Sequence, residues 1–121
     1  MYSVGIDLVE IKRIENSIQS ERFFKTTFGE NERKEFEQRK FRIESIAGAF
    51  CAKEAFSKAM KTGLSGFKLS EVELLHHENK APFLHLSGKA KQKAESQGLE
   101  FDVSISHTKD TACAVVIAYK K

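Results

Sequence analysis

Asp7 in "SVGIDLV", Glu54 and Lys58 in "AFCAKEAFSKAM", and His107 in "SISHTKD" are the residues whose types and settings could do chemistry. On a helix turning about 100° per residue, Glu54 shares a stripe with Ile43, Ile46, Ala47 and Phe50, a face with the character of a buried one. A buried carboxylate without a partner is costly or takes up a proton, so a chain that keeps one usually supplies a cation. Lys58, one turn further on, has the favourable Glu-to-Lys spacing for an ordinary ion pair, and the helix alone favours that reading. The alternative is a divalent metal held jointly with a second acid. Asp7 is such an acid, carried on a strand. A strand carboxylate and a helix carboxylate, with water and substrate phosphate oxygens filling the shell, form the donor set of an oxygen-ligated Mg²⁺ ion. Lys53, Lys58 and His107 could then neutralise phosphate charge, and the composite is a metal–phosphate site.

His107 differs from the other histidines. It ends a strand at a tight turn, between Ser106 and Thr108, where an imidazole, hydroxyls and backbone N–H groups could meet an anion. A histidine bonded locally at a hairpin end is an equal alternative. His76 and His77 are adjacent on a strand and point to opposite faces, so they make no dyad, and His85 carries no distinctive signal.

The elements that must position these groups follow from periodicity. In "SVGIDLV", Val4, Ile6 and Leu8 alternate with Gly5, Asp7 and Val9, which predicts a strand with the first set toward the core and the acid on the second face. Ile11, Ile14 and Ile18 recur at helical spacing over roughly 10–20, with Lys12, Arg13 and Glu15 outward. Residues 21–45, rich in mixed charge and anchored by Phe23, Phe24, Phe28, Phe36 and Phe41, read as two short helices broken at Gly29. A long helix follows from about Arg42 to Met60, stopped by "KTGLSG" with Gly63 and Gly66. "EVELLHH" and "PFLHLS" read as strands around a turn with Asn79 and Pro82, and Ser87 is placed to cap a helix that Gly98 ends. "FDVSISH" and "TACAVVIAY" read as a hairpin turned at "TKD". The order predicts a single α+β domain over 1–121, with a largely antiparallel sheet packed against a long central helix and short helices.

Composition narrows the class. With 121 residues, 40% of them apolar and 31% charged, the chain can bury a core and is neither disordered nor a membrane protein. Its net charge of +3 suits a phosphate-rich ligand or an acidic partner and is too small to argue for nucleic acid. Cys51 and Cys113 lie in apolar segments without metal-ligand spacing, so both read as reduced thiols and imply a cytoplasmic setting. No stretch reaches the roughly 18–20 apolar residues of a membrane span, and the N-terminus lacks a signal-peptide layout.

Three blocks, "VGIDLVEIKRI" (4–14), "AGAFCAKEAFSKAMKTG" (47–63) and "VSISHTKDTACAVVI" (103–117), in this order and spacing, resemble the holo-[acyl-carrier-protein] synthase family of 4′-phosphopantetheinyl transferases over essentially the whole chain. The resemblance implies transfer of 4′-phosphopantetheine from coenzyme A to a serine of apo acyl carrier protein, releasing adenosine 3′,5′-bisphosphate, in the service of fatty acid biosynthesis. It implies Asp7 and Glu54 as Mg²⁺ ligands, and Lys58 as the lysine assisting at the scissile phosphate. Lys53, Lys58, Thr62, Gly63, Ser106, His107 and Thr108 would meet coenzyme A, and Arg13 and Arg22 the acidic carrier protein. It also implies a homotrimer whose active sites lie between subunits, and neither membrane nor nucleic acid as partner. The chain departs from the family pattern at Ala49, where arginine is common, at Lys61 and Lys80–Ala81, where glycine and Gly-Lys precede the shared residues, and at Thr111, where tyrosine is frequent. None of these removes a metal ligand.

Two rival readings stay open at this point. One is a non-catalytic nucleic-acid-binding module using Lys12, Arg13, Arg22, Lys25, Arg33 and Lys34, weakened by the interspersed glutamates. The other is a Mg²⁺ phosphohydrolase built on the same acids.

Overall fold

The computed structural model describes residues 2–61 and 66–121. They run in the order β1 (Tyr2–Glu10), α1 (Ile11–Ser17), α2 (Glu21–Thr27), α3 (Glu30–Gln38), α4 (Ile43–Ala59), a 3₁₀ turn (Leu69–Glu71), β2 (Val72–His76), β3 (Pro82–Leu86), α5 (Gly88–Ser96), β4 (Leu99–His107) and β5 (Thr111–Lys120). All strand pairing is antiparallel, in a three-stranded sheet ordered β1-β5-β4 and a two-stranded sheet β2-β3. The architecture is α+β, as the order of elements predicts.

The two long pairings set the frame. The β4–β5 hairpin closes through Thr108, whose N–H donates to the Thr111 carbonyl at 2.8 Å, and the pairing runs from Leu99↔Lys120 to His107↔Ala112. β1 adds to the free edge of β5, from Tyr2↔Tyr119 to Glu10↔Thr111. α4 lies across this sheet with small residues facing small ones: Ala47, Ala52, Ala55 and Ala59 are buried on the helix, Ala112, Ala114 and Ala118 on the sheet. Gly5 shows how near they come, for a Cβ there would stand 2.0 Å from the Ala55 carbonyl oxygen. No residue with a side chain fits that position without moving strand from helix.

The covered face of β1 is the opposite of the one expected. Gly5 and Val9 turn toward α4, while Val4, Ile6 and Leu8 are 54%, 59% and 67% exposed. Tyr2 and Ile117 extend the same uncovered apolar face. Alternation assigns residues to two faces but not the core to either; here the close approach at Gly5 chose the face with the smaller side chains.

The charged segment folds around aromatics. Phe28 is fully buried and packs edge-on against Phe36, with Phe23 and Phe24 alongside, while Ser20 accepts from the Phe23 N–H to cap α2. α5 is capped otherwise than expected. Ser87 stands at the N-cap position but makes no side-chain cap bond, and the Glu71 carboxylate accepts from the Lys89 N–H at 3.3 Å while also accepting from Lys68 N–H at 3.0 Å. Gly98 takes φ +64 after α5, the left-handed conformation its position requires. The turn before β3 uses Asn79, whose Oδ1 accepts from the Ala81 N–H, and Lys80 at φ +71, so Pro82 opens the strand rather than forming the turn.

Candidate functional site

Asp7 sits on the α4-facing side of β1, and the sheet register carries that side on through Ala114 to Ile105. Opposite it, α4 presents Cys51, Glu54 and Lys58. Burial pushes the Glu54 carboxyl above its ordinary value and the nearby charge of Asp7 pushes it further, against the pull of Lys58 and Arg13. A half-buried carboxylate whose ionisation is made costlier still by a second carboxylate beside it belongs to a donor set short of positive charge. That is a fit for a hard divalent cation with open coordination positions for substrate oxygens. Among the described residues no group of three or more His, Cys, Asp or Glu is placed to hold a metal ion.

Lys58 does not make the i,i+4 pair that the helix spacing favours. Its Nζ lies 3.2 Å from Asp Oδ1 of Asp7 and donates to the Ile6 carbonyl at 2.9 Å. The ammonium thus bridges α4 to β1, and Glu54 has no close cation among the ion pairs of the described residues. With its side chain 56% exposed, Lys58 can turn toward a ligand at little cost. Cys51 closes the inner end of this cluster. Its thiol is pushed up to about 12 by burial and by Asp7, and it faces the Ala112 carbonyl at 3.5 Å, so it stays protonated.

Lys53, expected at phosphate, is placed elsewhere. Its side chain is wholly buried on the opposite flank of α4, ion-paired with the wholly buried Glu32 and donating to the carbonyls of Val72 at 2.6 Å and Leu69 at 3.3 Å. The physical reason is the turn of the helix: one residue from Glu54 is 100° of rotation, which carries Lys53 from the β1 side to the α3–β2 side. Burial pushes Glu32 up and Lys53 down, each opposed by its partner.

Ser106, His107 and Thr108 are exposed but do not share a face. His107 belongs to the row Val9–Ala112–His107 on the α4 side, and Ser106 alternates to the other side with Cys113. His107 Nδ1 donates to the Thr108 carbonyl at 3.1 Å, which leaves Nε2 as the acceptor nitrogen of the neutral ring. Thr108 Oγ1 accepts from the Thr111 N–H at 3.2 Å and serves the turn. Thr62 and Gly63 lie outside the described residues. Arg13 and Arg22 are exposed on α1 and α2.

A cleft of about 280 Å³ was not anticipated from the sequence. Arg39, Arg42, His76, Lys80 and His107 line it, opposed by Glu44. His76 is oriented by Glu35, whose carboxylate accepts from Nδ1 at 2.9 Å. The charged run around residue 40 resembled solvated surface, and only the packing of α3 and α4 beside β2 gathers it into an anion-sized recess.

The chain matches the family model of the 4′-phosphopantetheinyl transferase superfamily over residues 3–116. The chain belongs to this family. It is 39% identical over 122 residues to the holo-[acyl-carrier-protein] synthase of Thermoanaerobacter sp. (strain X514), covering 98% of this chain and 88% of the relative. It is 41% identical over 116 residues to the protein of that name from Clostridium tetani, covering 94% and 92%. Among solved structures, the Chronobacterium ammoniagenes ACPS–CoA complex superposes with a TM-score of 0.87 at 28% identity, covering 100% of this chain and 98% of the other.

Proposed function

We infer that the chain is a holo-[acyl-carrier-protein] synthase: it transfers 4′-phosphopantetheine from coenzyme A to a serine of apo acyl carrier protein and releases adenosine 3′,5′-bisphosphate. The observation that carries the reading is the full-length relationship to enzymes of that name, with Asp7, Glu54 and Lys58 gathered on one side of α4. The nucleic-acid reading gives way to this relationship, and the same relationship favours transfer over hydrolysis.

Asp7 and Glu54 would hold Mg²⁺, which when bound neutralises pyrophosphate charge and favours departure of the bisphosphate. The serine hydroxyl attacks the phosphorus bearing the pantetheine and gives up its proton to solvent, the bridging P–O bond breaks, and the leaving phosphate takes the electron pair. Lys58, released from Asp7, brings an ammonium to the oxygens on which charge accumulates. The half-buried setting of the acids limits water around the reacting phosphate. His107, with Arg42, Arg39 and Lys80, offers the remaining phosphate of coenzyme A a basic recess.

The uncovered apolar face formed by Val4, Ile6, Leu8 and Ile117 supports assembly of copies, and we propose a homotrimer. β1 and β4 are opposite edges of the sheet, so the acids of one copy and the His107 cleft of another can face a single coenzyme A. Arg13 and Arg22 would steer the acidic carrier protein. Two free thiols suit a cytoplasmic enzyme of fatty acid biosynthesis, and no helix of the described residues is long and apolar enough to cross a membrane.

Intact mass spectrometry of apo acyl carrier protein incubated with the enzyme, coenzyme A and Mg²⁺ tests the reading. A gain of one phosphopantetheine, abolished by EDTA and by Asp7→Asn or Glu54→Gln in folded protein, is expected. No gain with several carriers would refute the transferase, and full turnover in either variant would refute the metal site.

A further inference from the structure

α4 is apolar nearly all round: eleven of its 17 residues are buried, including Ile46, Ala47, Ala49, Ala52, Phe56 and Ala59. Burial is non-directional and the contact with β1 and β5 is largely alanine on alanine, so the rotation of the helix about its axis rests on its directional bonds; toward the sheet these are the Lys58 bonds to Ile6 and Asp7, the Cys51 thiol on the Ala112 carbonyl and Ser3 Oγ on the Ala59 carbonyl at 2.6 Å. Yet the site depends on that rotation. Turning α4 by a fraction of a residue would take Glu54 and Lys58 away from Asp7.

Directional bonds on the far flank supply what burial does not. The Lys53 ammonium has three acceptors, Glu32 Oε1 and the carbonyls of Val72 and Leu69, which matches its three donors. Glu32 in turn accepts from the N–H groups of Gly29 at 3.0 Å and Leu74 at 2.8 Å. Glu73 accepts from the Glu32 N–H at 2.9 Å and from Asn31 Nδ2 at 3.0 Å. Space is closed around this network, since a Cβ at Gly29 would stand 2.4 Å from Glu73 Oε2. Every buried side-chain polar atom among the described residues is satisfied. Buried ion pairs contribute little net stability and are better explained where they select one arrangement among several.

We propose that the buried Lys53–Glu32–Glu73 network is a positioning device that fixes the rotation of α4 against α3 and β2, and so holds Glu54 and Lys58 opposite Asp7. Lys53 acts through Glu54 and touches no reacting atom. The inference rests on the reading of Asp7, Glu54 and Lys58 as the reacting site.

The test replaces the charged pair by a neutral one, Glu32→Gln with Lys53→Met, whose amide oxygen keeps one of the two N–H groups that Glu32 serves and whose NH2 group can meet one of the two carbonyls that Lys53 leaves. Three quantities are read against the parent: the urea midpoint, Mn²⁺ affinity with coenzyme A present by electron paramagnetic resonance, and kcat and KM of transfer. Expected are a modestly lowered midpoint, with Mn²⁺ affinity and kcat of the folded protein each lowered at least about tenfold, and KM for carrier protein unchanged. A merely structural pair would move the midpoint and leave Mn²⁺ affinity and kcat in the folded protein alone. Glu32→Gln by itself keeps the ammonium and its carbonyl acceptors but strips it of its buried counter-ion, so it is the harsher second variant, with a larger fall in the midpoint and at least the same loss of Mn²⁺ affinity and kcat expected. A folded form of either variant with the parent's Mn²⁺ affinity and turnover overturns the proposal. Asp7→Asn in the otherwise unchanged protein separates the two readings: unaltered Mn²⁺ binding there refutes the metal site itself and not the role of the network.

Discussion

Replacing Gly5 with alanine is the most direct trial of how β1 and α4 share the site. The added carbon would lie 2.0 Å from the Ala55 oxygen, 2.6 Å from the Ala59 nitrogen and 3.0 Å from the Ala55 carbonyl carbon, all of them backbone atoms of α4. Ordinary contact begins at 3.4 Å, so strand and helix must part by roughly 1.4 Å, with no flexible side chain to yield. Overpacking typically costs about 1–3 kcal/mol, and two rigid backbones argue for the upper end, about 3 kcal/mol. Asp7 is two residues along the same face of β1, and Lys58 adjoins Ala59, so the displacement falls on the site. A misplacement of about 1 Å can cost about a hundredfold in rate. Urea unfolding followed by far-UV circular dichroism and transfer measured by mass spectrometry should show both losses. Gly48→Ala is the control for stability, since Gly48 and Ile105 both line the basic cleft: its Cβ would meet only Ile105 Cγ2, at 2.9 Å, on a side chain and not on backbone, and alanine favours a helix interior by about 1 kcal/mol. A Gly5→Ala protein within about 0.5 kcal/mol of the parent and fully active would refute the reasoning.

Other consequences can be measured separately. Backbone donors at Lys68, Lys89 and Ala90 overcome a desolvation penalty and hold the Glu71 carboxyl below its usual 4.5, so its stabilisation is full above that value and lost as pH falls through the folded pKa. Glu71→Ala should therefore lower stability by about 1 kcal/mol at pH 7, as loss of a helix cap does, and the loss should shrink as pH falls through the folded pKa in parallel urea titrations. Cys51, held protonated, should resist iodoacetamide at pH 8 in the folded enzyme and react fully in urea, as peptide mass spectrometry would show. Arg13→Ala with Arg22→Ala should raise KM for the acidic carrier several-fold at low salt, an effect fading at high salt, with kcat unchanged.

Much of this molecule was legible in its residues because the relevant physics is local. The β4–β5 hairpin, the α4 boundaries within a residue of Arg42 and Met60, and the turn at Gly98 follow from alternation, helical spacing and the conformational freedom of glycine. Asp7 and Glu54 stood out as acids on regular elements with covered faces. The recess of Arg39, Arg42 and Lys80 did not stand out, because its members come from α3, α4 and the β2–β3 turn, and each alone resembles ordinary solvated charge.

The residues by themselves determined which side chains share a strand face or a helix stripe, for those relations depend only on the repeat of the backbone. Tertiary packing decided which face is covered, and it reversed the expectation at Val4, Ile6 and Leu8 because Gly5 lets the α4 backbone come close. Packing also chose the ionic partners. Lys58 turned from Glu54 to Asp7, Lys53 left the phosphate side for Glu32, and Glu71 took the cap expected of Ser87. A charge can be read in one residue, but its partner is set by distances that exist only once the chain is folded.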